Sequence, residues 1–299
     1  MDYSVIGKKI KELRKGVQLT QGELAEGICT QALISRIEKG DIYPSATALY
    51  QISKKLGVDV NYFFGIGTTP RLDYVQEVER QLRKLRVKHH YEEMMDIVKV
   101  EEKNPIFNQT EFNSQLLLWH RAIFTQEVLK DKENARILLH EALGLTYDHK
   151  KALSEREMEI MLSLGVIEFS EENYDDALEY YEQVQNGLKG SKQIHDKAIK
   201  TRLLYNIARL YTRLERYEKS NENCKEAIRW SINEENMYAL GHLHYHVGYN
   251  YELLKQDQQA LPYFEKAILI FELQDEHVYL DYLRKRKEEL VSRIQHASR

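Results

Sequence analysis

Three stretches of the chain superimpose on one another, and any fold has to accommodate that repetition. They are LGVIEFSEENYDDALEYYEQV from Leu164, IARLYTRLERYEKSNENCKEA from Ile207 and VGYNYELLKQDQQALPYFEKA from Val247. Each has a small residue in its second position (Gly165, Ala208, Gly248), another twelve positions later (Ala177, Ser220, Ala260), and Tyr181, Cys224 or Phe264 four beyond that. Small residues at those places let two antiparallel helices approach closely, and the bulkier one fills the gap between neighbouring pairs. Weaker copies precede them, one with Trp119, Ala135, Leu139 and Ala142, the other with Tyr91, Met94 and Val98. The five units start roughly 40 to 43 residues apart, and residues 276–296 complete the stack as a capping helix.

This pattern resembles the tetratricopeptide repeat, with a longer period than the usual one of about 34 residues. Longer helices or connecting loops account for the excess. Stacked pairs of this kind curve into a superhelix whose concave side is lined by the first helix of each pair and receives an extended peptide. The candidates on those first helices are Arg202, Tyr205, Asn206, Arg209 and Arg213 in one repeat, and His242, Tyr245, His246, Tyr249 and Glu252 in the next. An Asn side chain can bond both the N–H and C=O of an extended backbone, Tyr offers flat area with a polar tip, and Arg forks onto a carboxylate. The plainer account is that part of this set is solvated or ties neighbouring helices together.

The first 66 residues have a different grammar. Within TQGELAEGICTQALISRIEKGDIYP (20–44), an amphipathic helix with Leu24, Ala25 and Ile28 inward is followed by a turn and a second helix with Ile34 and Ile37 inward. Ser4 fits an N-cap for a preceding helix carrying Ile6, Ile10 and Leu13, which ends at Gly16. Thr20 and Glu23 have the spacing of a capping box. A fourth helix follows Pro44 and Ser45 with Leu49, Ile52 and Leu56 inward, and Val60 to Phe64 closes the domain. The second helix of the pair keeps Thr30, Gln31, Ala32, Ser35 and Arg36 outward, where a recognition helix presents side chains to base edges in the major groove.

Leu19-Thr20-Gln21, Glu23-Leu24-Ala25, Ser35-Arg36-Ile37-Glu38, Gly40 and Pro44 together resemble the Xre/lambda-repressor family of helix-turn-helix domains over about residues 5–66. The resemblance implies Gln21 and Thr30 as phosphate contacts, Gln31, Ala32 and Arg36 as base readers, and Glu38 in an internal ion pair for which Arg14 is the candidate partner. Ser35 and Lys39 complete the expected DNA-binding set.

Charge is distributed accordingly. Overall it is −4, yet residues 1–66 hold nine Lys and Arg against seven Asp and Glu, and the rest of the chain 34 against 40. A slightly basic domain on an acidic body suits DNA binding, because local phosphate contacts set affinity. No apolar run reaches the ~20 residues of a membrane span, and the N-terminus lacks the marks of a signal peptide, so no membrane association and cytoplasmic residence are expected. Only Cys29 and Cys224 are present, far apart in the chain and in different expected domains, which argues against a disulfide framework.

Joined in one chain, the two halves resemble the RNPP family, the peptide-responsive transcription regulators of Gram-positive bacteria. The resemblance implies an all-α protein with three parts: a helix-turn-helix domain over 1–66, a linker helix over 67–88 that overlaps the first repeat, and a peptide-binding and dimerisation domain of about five degenerate repeats over 74–299. It implies a homodimer reading palindromic double-stranded DNA under control of a short signalling peptide. Asn206 matches the family's peptide-holding Asn and Tyr279 its C-terminal Tyr. Where the family carries lysines in the first repeat, this chain has Val87, Lys88, His89 and His90, so a different peptide is implied, with Lys88 and His89 kept as candidate contacts. Leu72, Val75, Val78, Leu82 and Leu85 recur at helical spacing, so the linker is ordered, and a peptide-induced change could reset the separation of the recognition helices through it.

Two rival readings are set against this one. An enzyme is disfavoured because there is no nucleophile elbow and no Gly-rich phosphate loop. His242 and His246 have the spacing of a metal pair, but the Glu of an HExxH pattern is missing, so a polar stripe is the simpler account and no cofactor is expected. A repeat scaffold or DNA-binding regulator controlled by a protein partner is the second alternative.

Overall fold

The computed structural model describes residues 3–68, 71–149, 151–190, 194–276 and 279–297. Among them every regular element is a helix. The chain divides into two compact units, Met1–His120 and Arg121–Arg299.

The first unit opens with α1 (Tyr3–Gly16), α2 (Gln21–Ala25), α3 (Gln31–Lys39), α4 (Ala46–Leu56) and α5 (Val60–Thr68). Ile6, Ile10, Leu24, Ala25, Ile34, Ile37, Leu49, Ile52, Leu56, Phe63 and Ile66 form their common core. Each fully buried aliphatic side chain there contributes about 1.5–3 kcal/mol, which is what holds helices as short as α2 and α3 in shape. The caps follow from the sequence. Thr20 and Glu23 form the reciprocal capping box at α2, Thr30 caps α3 and Ser45 caps α4. Gly40, at φ 82°, ends α3 in the left-handed region. At Gly7 a Cβ would collide with the carbonyl oxygen of Ile37, so α1 and α3 cross at backbone contact.

Three local expectations shift. Ser4 lies inside α1, which starts at Tyr3. The left-handed residue after α1 is Gln18 rather than Gly16, and Leu19 N–H closes the turn onto the Arg14 carbonyl at 3.0 Å. The closing helix expected over Val60 to Phe64 runs on through the two glycines to Thr68, because Ile66 faces the core and Gly65 gives Leu72 room. Thr69 and Pro70 lie outside the described residues.

The linker helix α6 (Leu72–Val87) buries Val75, Val78 and Leu82 and pairs with α7 (Tyr91–Glu101). It is thus both the connection and the first helix of the first pair, with Leu72 packed on the helix-turn-helix core. After α8 (Pro105–Asn108), α9 (Glu111–Glu127) runs into the second unit.

There α10 (Lys132–Gly144) precedes the pairs α11 (Glu155–Ser170) and α12 (Tyr174–Gly190), α13 (Ala198–Arg213) and α14 (Tyr217–Asn233), α15 (Leu240–Leu253) and α16 (Asp257–Leu273), then α17 (Leu280–Ala297). Each packs on the next, and the first helices α11, α13 and α15 also neighbour one another. The small-and-bulky ladder is realised in all three strong repeats. Tyr181, Cys224 and Phe264 are buried against Gly165, Ala208 and Gly248, and a Cβ on Gly248 would lie 2.7 Å from the Phe264 ring.

The turn inside each pair has one geometry. His89, Lys130, Glu172, Glu215 and Lys255 all adopt φ between 56° and 65°, at intervals of 41, 42, 43 and 40 residues. In four of the five, the next residue donates its N–H to the carbonyl five back (His90 to Leu85, Asn173 to Glu168, Arg216 to Tyr211, Gln256 to Tyr251), a Schellman closure that satisfies the helix end. The repeat period is therefore written in the backbone as well as in the side chains.

Candidate DNA-reading helix and ligand face

The back of α3 is spent on packing and the front is free. Ile34 and Ile37 are buried, whereas Thr30, Gln31, Ala32, Arg36 and Lys39 are exposed and Ser35 is half-buried. Neither Arg36 nor Lys39 has an ion-pair partner among the described residues, so both guanidinium and ammonium face solvent with their donors unused. Thr30 uses its hydroxyl to accept from Leu33 N–H at 3.2 Å. Gln21 donates to Glu38 at 2.8 Å, which leaves one amide N–H to meet a phosphate.

Glu38 is held where the residue pattern placed it. Arg14 grips it in a fork, Nε to Oε1 at 2.5 Å and Nη2 to Oε2 at 3.0 Å, with both residues buried. Burial alone would raise the Glu38 carboxyl, but the hydrogen bonds from Arg14 and Gln21 outweigh it and hold the group below its ordinary range. This clamp ties α1, α2 and α3 together at the rear of the recognition helix.

On the repeats, α13 and α15 bring most of the expected ligand-face residues together. The Tyr205 ring lies 5.7 Å from that of His246 and 6.4 Å from that of His242. Tyr279 stands over His242 at 5.1 Å and over Phe271 at 5.7 Å. Tyr245 stacks on Tyr249 at 6.1 Å, but it also meets Phe264 and Tyr282, which turns it towards α16 and α17. Burial pushes the Tyr205 hydroxyl up to about 12. Lys88 and His89 belong to the first unit, at the exposed turn between α6 and α7, where His89 Nδ1 meets Tyr91 Oη at 2.7 Å.

Within this set the polar groups are unequally committed. Arg202 is ion-paired to Glu159 and, at 2.9 Å, to Asp196, and lies 5.1 Å from the Tyr238 ring centre. His246 is buried, its Nε2 bonded to Thr212 Oγ1 at 2.8 Å, and burial together with Arg209 pushes it down to about 4. Thr212 also meets Asn250 Oδ1 at 2.8 Å, and Asn250 donates to Ser220 and Asn221, a buried network joining α13, α14 and α15. Asn206, by contrast, is half-buried and makes no side-chain hydrogen bond among the described residues. Arg209 rests 4.8 Å from the Phe169 ring centre with no carboxylate partner among them.

Sequence reasoning missed Phe169, Glu159, Asp196 and Thr212. One signal was available for the first ion pair: Glu159, Arg202 and His242 each stand five residues before the start of their repeat, so they are neighbours across the stack and opposite charges there predict a bridge. Among the described residues no group of three His, Cys, Asp or Glu is placed to hold a metal ion.

The profile of the RNPP family C-terminal domain matches residues 79–292, and a helix-turn-helix profile matches residues 10–63. The chain belongs to the RNPP family. Solved structures with an RNPP-like fold include Bacillus thuringiensis PlcR in complex with the peptide PapR7 and DNA, 24% identical with a TM-score of 0.86 over 94% of this chain and 99% of that one. ComR from S. thermophilus, in complex with DNA and its signalling peptide ComS, is 18% identical with a TM-score of 0.65 over 95% and 99% of the two chains. The Streptococcus dysgalactiae SHP pheromone receptor Rgg2 is 15% identical with a TM-score of 0.62 over 95% and 99%. No curated relative matches by sequence. Among the described residues of this RNPP protein, no helix is long and apolar enough to cross a membrane.

Proposed function

We propose that this protein is a cytoplasmic transcription regulator, not an enzyme, which reads palindromic double-stranded DNA as a homodimer under control of a short signalling peptide held on the α13–α15 face. The observation that carries this reading is the division of labour on α3. Its packing groups, Ile34 and Ile37, are at the back, while Gln31, Arg36 and Lys39 stand exposed, with neither cation ion-paired among the described residues. An exposed Arg on such a helix can bind guanine O6 and N7, and Gln at its first turn can bind adenine N6 and N7.

Family membership supports the ligand half, as do PlcR and ComR, solved in complex with both DNA and a peptide. Asn206, whose amide makes no side-chain hydrogen bond among the described residues, has the donor and acceptor that an extended backbone requires. The test begins with selection of DNA sites from a random duplex pool by the full-length protein. Recovery of an inverted repeat with half-sites about one helical turn apart is the expected result. Recovery of no consensus, or binding to selected and scrambled duplexes with equal affinity at physiological salt, would overturn the reading.

A further inference from the structure

We infer that the ligand of the α13–α15 face carries a carboxylate that seats on Arg209, one or two residues along an extended backbone from the peptide group held by Asn206. This rests on the peptide-bound reading above and names the chemistry that its ligand must have.

Two arginines on α13 look alike in the sequence, Arg202 and Arg209, seven residues apart on one helix. Arg202 is neutralised within the protein by Glu159 and Asp196. Arg209 is not. Its guanidinium lies 4.8 Å from the Phe169 ring centre and 6.0 Å from that of Tyr205, and no carboxylate pairs with it among the described residues. Glu168 and Glu171, next to Phe169 in the chain, are both bound to Arg136. Its contacts are with those two rings, and its charge helps to depress His246. A half-buried cation without a counter-charge is costly, and the aromatic contact offsets only part of the cost. A ligand carboxylate would supply the missing partner in bidentate geometry.

Position fixes the register. Asn206 and Arg209 are three residues apart on a helix, so their Cβ atoms stand about 5–6 Å from each other on one face. An extended chain advances about 3.3 Å per residue, which puts the carboxylate one or two residues from the amide that Asn206 engages. The carboxylate comes from an Asp or Glu side chain, or from the peptide's own C-terminus.

The test uses two mixtures of random synthetic heptapeptides, one with a free C-terminal carboxylate and one amidated. Each is captured on immobilised full-length protein and read by tandem mass spectrometry. Wild type is expected to enrich Asp or Glu at one position from both mixtures if a side chain is the source. If the terminus is the source, it retains peptides from the free-acid mixture alone. The preference should fall by roughly ten- to a hundredfold in Arg209→Gln, the range for a hydrogen bond to a charged group. It should survive in part in Arg209→Lys, and pass to Lys or Arg in Arg209→Glu. Melting curves confirm that each variant is folded, and Arg209→Lys keeps the test valid if the Gln variant is not. Peptides captured by wild type without an acidic preference, or with the same preference in Arg209→Gln, would overturn this inference and leave the peptide-bound reading intact. If wild type retains no peptide above blocked resin, both fall together.

Discussion

Removing the carboxylate of Glu38 should unfold the helix-turn-helix while leaving its recognition surface untouched in composition. In Glu38→Ala, Arg14 keeps one partner, the Leu19 carbonyl at 2.6 Å, but loses the fork to Glu38, and Gln21 loses its acceptor. Arg14 is 8% exposed and Glu38 4%, so water cannot replace what is removed. Breaking one side of such a buried pair costs about 3–5 kcal/mol. A domain of this size has roughly 0.05–0.15 kcal/mol of stability per residue, or about 3–10 in all, so the loss takes from about a third of it to the whole.

The readout is hydrogen exchange by mass spectrometry on the full chain. Amides of α1 and α3 should lose protection by roughly a hundredfold to several thousandfold, with peptides of α15 and α16 as the internal reference. Replacing both partners, Arg14→Met with Glu38→Leu, should restore most of the protection, because apolar substitutes for a buried pair are often neutral or stabilising. Acid supplies an independent check. The Glu38 carboxyl is held below its ordinary 4.5, so its contribution is fully present above that value and disappears as pH falls through the lowered one. The double variant should lack that step. Protection in Glu38→Ala within threefold of wild type, or a double variant no better than the single, would refute the assignment of the clamp as the element that fixes α3.

Arg36→Ala should weaken binding to selected DNA by about 1–3 kcal/mol and relax one base position, whereas Lys39→Ala should weaken all duplexes alike and flatten the salt slope, both read by fluorescence anisotropy across a salt series. Gly248→Ala should destabilise by about 1–3 kcal/mol, because the new Cβ meets Phe264 at 2.7 Å, while Gly144→Ala, with nothing within 4 Å, should stabilise by about 0.5–1 kcal/mol in urea titrations. His246 and His244, each pushed down to about 4 by burial, stay neutral in the fold while the unfolded imidazole titrates near 6.5. Stability should therefore decline as pH falls from about 6.5 to about 4, by at most on the order of 3 kcal/mol per residue, and His246→Gln should remove about half of that decline between pH 7 and pH 5 in urea midpoints.

What could be read from the sequence, and what could not, divides by range. The ladder of Gly165, Ala208 and Gly248 against Tyr181, Cys224 and Phe264 is local, since both halves lie within one repeat and periodicity brings them together. The caps at Thr20, Thr30 and Ser45 are local for the same reason. The helical stretch from Gly65 to Thr68 was hidden by two glycines, because tertiary contacts of Phe63 and Ile66 override an unfavourable propensity of about 1 kcal/mol per glycine. The commitments of the ligand face were illegible for a different reason. Arg202 and Arg209 share a residue type, a helix and a period, and only partners about 40 residues away, Glu159 and Phe169, make one a strut and the other an unfilled cation. Likewise His246 reads as a groove residue until Thr212, 34 positions earlier, is seen to hold its Nε2. In a stack, a first-helix side chain can turn to the ligand face or to the equivalent position of the preceding repeat. Asn206 has Ser163 at that preceding position, whose hydroxyl donates to the Glu159 carbonyl at 3.0 Å, and Arg209 has Val166, whose side chain has no polar atom. Offsetting the repeats by their own period therefore separates the groove candidates that a neighbouring repeat neutralises, such as Arg202, from those it leaves for a ligand, Asn206 and Arg209 among them.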